Sequence, residues 1–291
     1  MIILDGGIGQ ELLHRSGDTP TPLWATEVML KHPGLVQEVH AAFFAAGAQV
    51  ATANTYNLHH DRLAGTGWED KFTLLLDRAM TEVTAARDAH GSGRIAGSLG
   101  PLVQSYWPEA CPDPDVAAPL YAEIAGHIAP RCDLLIAETV SSVKQAEGTF
   151  AGIADAGLPL WLSVSVDDDN GRLLRSGEPI SALQPVIDRY APQAVLANCS
   201  APEAMEAALT ELARFGLDYG CYANGFAQIT RAYVEDRLTT DLLGQRPDIT
   251  PQVYADFAGR WADMGASIVG GCCNIGPDHI AALARRFGGA P

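Results

Sequence analysis

Residues 194–223, AVLANCSAPEAMEAALTELARFGLDYGCYA, hold two short apolar runs with an amphipathic stretch between them. Residues 194–198 and 218–223 read as buried strands, and 202–215 as a helix whose Pro202 suits a first turn. Strand, helix and strand in that order make a parallel crossover unit. The same alternation continues in both directions. Further strands are read at residues 2–4, 48–53, 94–98, 132–137, 160–166 and 267–270, with helices among them at 32–46, 68–90 and 141–156. Pro251 behind Thr250 marks another helix start. Eight βα units with no Pro/Gly/Ser linker predict an α/β chain folded as a single domain over residues 1–291, a closed (β/α)8 TIM barrel rather than an open sheet. Residues 224–250 fit the pattern least and read as an irregular loop at the barrel mouth.

The chain of 291 residues carries 35 acidic against 19 basic side chains, a formal charge of −16. Phosphate-backbone partners need Lys/Arg-rich faces, so nucleic acid is excluded as a partner class. The N-terminus, MIILDGGIGQELLHR, lacks a basic leader, and its apolar run stops at Asp5. No segment approaches the roughly 20 apolar residues that span a bilayer, so no membrane partner is expected. Six cysteines are too sparse for a disulfide scaffold and include an adjacent pair, which points to reduced thiols and a cytoplasmic location. Assembly into a homo-oligomer is left open.

Position is the informative property of the polar residues. The ends of the proposed strands read Asp5-Gly6-Gly7, Asn54-Thr55, Ser98, Glu138-Thr139, Ser163 to Asp167, Asn198-Cys199, Asn224 and Cys272-Cys273. In a βα barrel these ends converge on one face, where the loops build the active site. Loops begin at strand ends in any case, which accounts for Ser98 and Asn224. It accounts poorly for Glu138 behind the apolar run LLIA, and for three cysteines at two such ends. Cys132 and Cys221 read as small buried hydrophobes, and Cys111 as an incidental loop residue. Cys272 and Cys273 follow Gly270-Gly271, which would free the backbone to bend, so that two neighbouring side chains could face one point. Three thiolates with an open fourth position are the layout of a catalytic zinc site, and soft sulfur selects zinc over magnesium or calcium. The open position suits a substrate thiol, which loses its proton at neutral pH when bound there.

LDGGIGQEL, LWATEVMLKHPGLVQEVHAAFFAAGAQVATANTY, GSLGP, AETV, NCS and GGCCNIGPDHI, in that order from Asp5 to the last helix, resemble the homocysteine S-methyltransferase family. The resemblance implies a (β/α)8 barrel that binds Zn2+ through Cys199, Cys272 and Cys273 and methylates homocysteine from a small donor, giving methionine. It further implies that Asp5 and Glu138 engage the substrate ammonium while backbone at Gly6-Gly7 places the amino acid. Two carboxylates suit an ammonium, and glycine admits close main-chain approach. A helix-capping role is the competing reading of Asp5. The catalytic group is the metal-activated substrate thiolate, with no separate side-chain base.

Some positions depart from the family pattern. Asn274-Ile275-Gly276 replace the small or basic residue and two threonines usual after GGCC. Betaine-dependent members enclose their quaternary ammonium in aromatic rings. Here Trp24 matches one, but Asn57 and Thr139 stand where tyrosines would align, leaving a donor pocket of Trp24, Tyr56, Asn57 and Thr139 with a thinned cation-π cage. Loop rings Tyr106 and Trp107 are available as replacements. This favours a sulfonium donor such as S-methylmethionine over betaine. His59 and His60 read as exposed loop histidines. Two alternatives stay open: a zinc thiol methyltransferase using a separate methyl-corrinoid protein or another acceptor, and a non-catalytic zinc- or thiol-binding barrel.

Overall fold

The computed structural model describes residues 1–229 and 243–288. Eight strands succeed one another: β1 (Ile2–Ile3), β2 (Val50–Thr52), β3 (Arg94–Leu99), β4 (Leu134–Val140), β5 (Leu160–Val164), β6 (Ala194–Asn198), β7 (Asp218–Tyr222) and β8 (Ile268–Val269). They lie in the order β1-β8-β7-β6-β5-β4-β3-β2, with parallel pairing throughout. The series closes where Leu4 bridges Val50: Gln49 N donates to Ile3 O at 2.7 Å and Asp5 N to Val50 O at 3.0 Å. The expected (β/α)8 barrel is therefore the observed fold. Among the described residues no helix is long and apolar enough to cross a membrane.

Period-two alternation sorts the strand residues into two cores. Leu4, Val50, Ala96, Leu134, Ile136, Trp161, Leu196 and Tyr222 pack together inside the barrel. Leu135, Ala137, Leu162, Val195 and Ala197 pack outward with Val36, Phe43, Leu75 and Phe150 of the surrounding helices. Following the inward rows upward explains the site. Ala96 is succeeded two residues on by Ser98, Ile136 by Glu138 and Leu196 by Asn198, so buried polar groups cap an apolar barrel at its C-terminal end. Below them, Trp161 Nε1 donates to Gln193 Oε1 at 3.0 Å, with the Arg94 guanidinium 5.8 Å from its ring centre.

Several boundaries move for identifiable reasons. The helix expected at 32–46 is Leu35–Ala45, because Pro33-Gly34 precede it and Gly34 takes φ +89° at the cap. The helix expected at 68–90 is Phe72–His90 behind a 3₁₀ turn, Glu69–Lys71. Val143–Ile153 starts at Ser142, whose hydroxyl accepts Gln145 N at 3.1 Å. The helix expected at 202–215 is Met205–Leu212 flanked by 3₁₀ turns Pro202–Ala204 and Ala213–Phe215. Thr250 does cap Pro251–Asp263, accepting Val253 N at 3.3 Å. β4 runs three residues past its expected end, through Glu138 and Thr139 to Val140, with a register shift against β5 and φ +58° at Thr139. Of the loop read at 224–250, residues 230–242 lie outside the described residues.

Candidate functional site

A cavity of about 340 Å³ opens at the C-terminal mouth of the barrel. Asp5, Gly6, Gly7, Trp24, Tyr56, Asn57, Glu138, Thr139, Cys199, Cys272 and Cys273 all line it.

Cys199 leaves β6 with φ +52°, a conformation a non-glycine residue adopts only when its surroundings impose it. Its sulfur lies 2.8 Å from Cys272 Sγ and 3.7 Å from Cys273 Sγ, and all three sulfurs fall within 4.8 Å of one another. The adjacent pair converges because the chain turns at Cys273-Asn274: Ile275 N donates to Cys272 O at 3.1 Å, and Asn274 holds φ +63°. Asn274 thus supplies the left-handed residue of the turn, and its side-chain amide donates to Gly225 O at 3.2 Å. This corrects the reading of the glycines before the pair. Gly271 does not provide the bend. A Cβ there would meet Ile275 Cγ2 at 2.2 Å, and one on Gly7 would meet Cys272 O at 2.6 Å, so both glycines serve close packing of the two loops.

Thiol titration within the trio is asymmetric. Cys272 and Cys273 hydrogen-bond to Cys199 and, against its burial, hold its thiol well below the ordinary value. Their own thiols are pushed well above it, chiefly by those same bonds to Cys199. Three thiolates this close would repel one another, and a cation among them would relieve that repulsion. Tyr106 Oη stands 2.9 Å from Cys199 Sγ.

Two buried carboxyls face the same cavity. Asp5 Oδ2 accepts Thr52 N at 2.8 Å and Oδ1 accepts Thr52 Oγ1 at 2.9 Å. Gly7, not Asp5, occupies the cap position of the helix Ile8–Ser16, which removes the capping alternative. Burial raises the Asp5 pKa well above its ordinary value despite the Thr52 bonds. Glu138 accepts hydrogen bonds from Ser98 Oγ and, at 2.9 Å, from Tyr222 Oη; burial lifts its pKa to about 7. Its aim is fixed by the β4 irregularity. Asn198 Oδ1 accepts Thr139 N and Ser163 Oγ, both at 2.9 Å, while Asn198 Nδ2 donates to Thr139 Oγ1 at 3.0 Å. The end of β6 thereby locks the bulge of β4.

Trp24 lies flat against the first turn of Ile8–Ser16, where a Cβ on Gly9 would meet its ring at 2.4 Å, and its Nε1 donates to Gln10 Oε1 at 3.4 Å. Tyr56 Oη pairs with Ser105 Oγ at 2.8 Å. Tyr106 also lines the cavity, while Trp107 packs with Cys199, Phe226 and Cys273. The histidine reading is half corrected. His60 is exposed, 3.0 Å from Glu123 and stacked on Phe72. His59 is buried with its ring edge-on to Tyr121, because the chain turns inward into the short helix His60–Leu63.

The brace beneath Cys199 has almost no local mark in the sequence. Arg175 Nη2 donates to Cys199 O at 3.2 Å, its Nε donates to Ser165 Oγ at 2.7 Å, and its guanidinium lies 5.2 Å from the Tyr106 ring centre. Asp168 pairs with Arg175 at 3.2 Å and accepts Ala201 N at 2.8 Å and Ile229 N at 3.0 Å. Thr52, Tyr222 and Arg62 were likewise unmarked. Asp168 adjoins a polar strand end, the sole hint available.

Comparison with known proteins bears on this geometry. The homocysteine S-methyltransferase family model matches residues 2–287. The chain belongs to that family. Homocysteine S-methyltransferase of Escherichia coli (strain K12) is 26% identical, covering 98% of this chain and 95% of the relative. Homocysteine S-methyltransferase YbgG of Bacillus subtilis (strain 168) is 24% identical over 98% of this chain and 93% of its own length. Among solved structures, the metallated form of the homocysteine methyltransferase MmuM from Escherichia coli superposes with a TM-score of 0.81 at 24% identity, covering 98% of this chain and 96% of that one. Its apo form gives 0.74 at 24% identity over 98% and 95%. These likenesses support the barrel fold, and the family membership rests on the match along the chain.

Proposed function

We propose that this member of the homocysteine S-methyltransferase family transfers a methyl group from a small sulfonium donor to the thiol of homocysteine, using zinc held by Cys199, Cys272 and Cys273. The observation that carries this reading is the convergence of three thiols beside two buried carboxyls in one cavity. The donor set fits zinc. Two sulfurs on one tetrahedral ion at Zn–S of about 2.3 Å stand roughly 3.8 Å apart. Cys199 and Cys273 are already at 3.7 Å, and Cys272 has only to draw back from 2.8 Å. Bound there, zinc would supply a substrate thiol ionised at neutral pH.

The chain's own residues supply position and charge. Glu138 and Asp5 bind the homocysteine ammonium, and burial strengthens both contacts. That ammonium in turn favours the ionised form of Glu138, the opposite charge countering the desolvation that holds its pKa near 7. Backbone at Gly6-Gly7 meets the amino-acid end. Trp24 and Tyr56 flank the donor, whose methyl lies in line between two sulfurs. A lone pair of the acceptor thiolate forms the new S–C bond as the donor's C–S bond breaks. The pair from that bond leaves on a neutral thioether, and the acceptor's thiol proton has already passed to water. The free cysteines suit a reducing cytoplasm.

Labelled methyl transfer from S-methylmethionine, dimethylsulfoniopropionate and glycine betaine to homocysteine tests the proposal. Label should reach methionine, with higher kcat/KM from the sulfoniums, since a neutral thioether leaves far more readily than a tertiary amine, and each ring missing from the cage forfeits about 0.5–2 kcal/mol of the grip that a betaine enzyme would use to offset this. A protein that holds zinc and passes label from none of them would refute it.

A further inference from the structure

Among the described residues lining the cavity, Arg62 is the one Lys, Arg or His. In a chain with 35 acidic and 19 basic residues, it forms no ion pair among the described residues, whereas Arg175 and Arg246 are held by carboxylates at 3.2 and 2.9 Å. Its Nη2 donates to Pro101 O at 3.2 Å and reaches Ser105 Oγ at 3.5 Å, and its Nε is buried without a hydrogen-bond partner. A guanidinium stays charged at any physiological pH, and a part-buried charge lacking a counter-ion is costly unless a ligand provides one. Burial lowers its pKa, although the neighbouring Asp61 carboxylate partly offsets this without pairing with the guanidinium.

The surroundings fix which part of the cavity it serves. Asp61 accepts the backbone N–H of Val103 and, at 2.9 Å, that of Arg62, clasping the loop after β2 to the loop after β3. Tyr56 joins the same clasp through Ser105. Arg62 and Tyr56 thus meet at Ser105, which places Arg62 beside a residue assigned to the donor, whereas Asp5, Gly6 and Gly7 follow β1 and Glu138 stands on β4.

We propose that Arg62 anchors the carboxylate of the methyl donor, making the donor class a sulfonium that carries a carboxylate at the far end of a short chain. The inference rests on the function proposed above. A donor of this class presents its cationic sulfur to Trp24 and its anion to Arg62, and a sulfonium without the carboxylate leaves the guanidinium unpaired.

The test compares wild type, Arg62→Gln and Arg62→Lys as zinc-loaded full chains, with dimethylsulfoniopropionate and the carboxylate-free trimethylsulfonium ion as donors. Arg62→Gln should lower kcat/KM for dimethylsulfoniopropionate by about tenfold to a hundredfold, chiefly through KM, the loss expected on removing a charge-assisted bond. Arg62→Lys should keep part of it. Turnover of trimethylsulfonium and the KM for homocysteine should stay unchanged. An equal loss with both donors, no loss with either, or a rise confined to the homocysteine KM would each overturn the assignment. If wild type transfers from neither donor and not from S-methylmethionine or glycine betaine, the functional reading fails. The rise in Tm produced by dimethylsulfoniopropionate then still tests Arg62, which is upheld if Arg62→Gln abolishes it and overturned if the variants match.

Discussion

At Glu138, burial outweighs the hydroxyl bonds from Ser98 and Tyr222 and lifts the pKa from the ordinary 4.5 to about 7. Between those values the native chain keeps a proton that the unfolded chain has released, so this group lowers stability progressively as pH rises through that window. The loss amounts to about 3 kcal/mol at most once the pH exceeds 7. Glu138→Gln should therefore match wild type in thermal denaturation near pH 4.5 and melt higher at pH 8. The same variant should raise the KM for homocysteine at least about tenfold, through loss of a charge-assisted bond, and leave the zinc content intact. Loss of zinc at an unchanged KM would contradict its assignment to the ammonium. Glu138 and the three cysteines were legible because each stands where an apolar strand run ends, and hydrophobic patterning offers no other reason for them. Arg62, Asp168 and Arg175 were not legible. Each gains its meaning from a partner on another loop, and nothing local marks an arginine that will be left without a carboxylate or one that will hold a carbonyl.

The loop that leaves β6 is supported by the Asp168–Arg175 pair, whose side chains are 4% and 8% exposed and thus almost fully withdrawn from water. Removing one member of such a pair strands the other, at a cost of about 3–5 kcal/mol. Arg175→Met should show that loss in denaturant unfolding. The double variant Asp168→Asn/Arg175→Met should regain much of the stability while still binding zinc more weakly than wild type in competition with a chromophoric chelator, because Cys199 O has lost its charged donor and keeps only the Ser165 hydroxyl at 3.3 Å. Wild-type zinc affinity in the double variant would show that the pair supports folding alone. Elements were read unevenly for physical reasons. β6 was read to the residue because its apolar run is bounded by Pro192 and by Asn198-Cys199. The extension of β4 through Thr139 escaped notice because an amide from β6 imposes it. Gly270-Gly271 suggested a bend, but Asn274 makes the turn and the glycines admit the neighbouring loop.

For the molecule as a whole, alternation of eight strands with helices was enough to predict a closed barrel, and closure places residues as distant in sequence as Asp5 and Cys273 on one cavity. The three thiols lie beyond the strand ends, whereas the apolar cores lie within and around the barrel. Chelation should therefore remove one zinc per chain and leave the far-ultraviolet circular dichroism spectrum almost unchanged. A collapse of that spectrum would mean that the metal organises the fold. In the proposed site three protein sulfurs hold zinc and leave a position for the sulfur of homocysteine. X-ray absorption at the zinc edge counts those sulfurs directly. Three sulfur neighbours per zinc are expected without substrate and four after homocysteine is added, and a count that does not change on adding homocysteine would contradict this coordination.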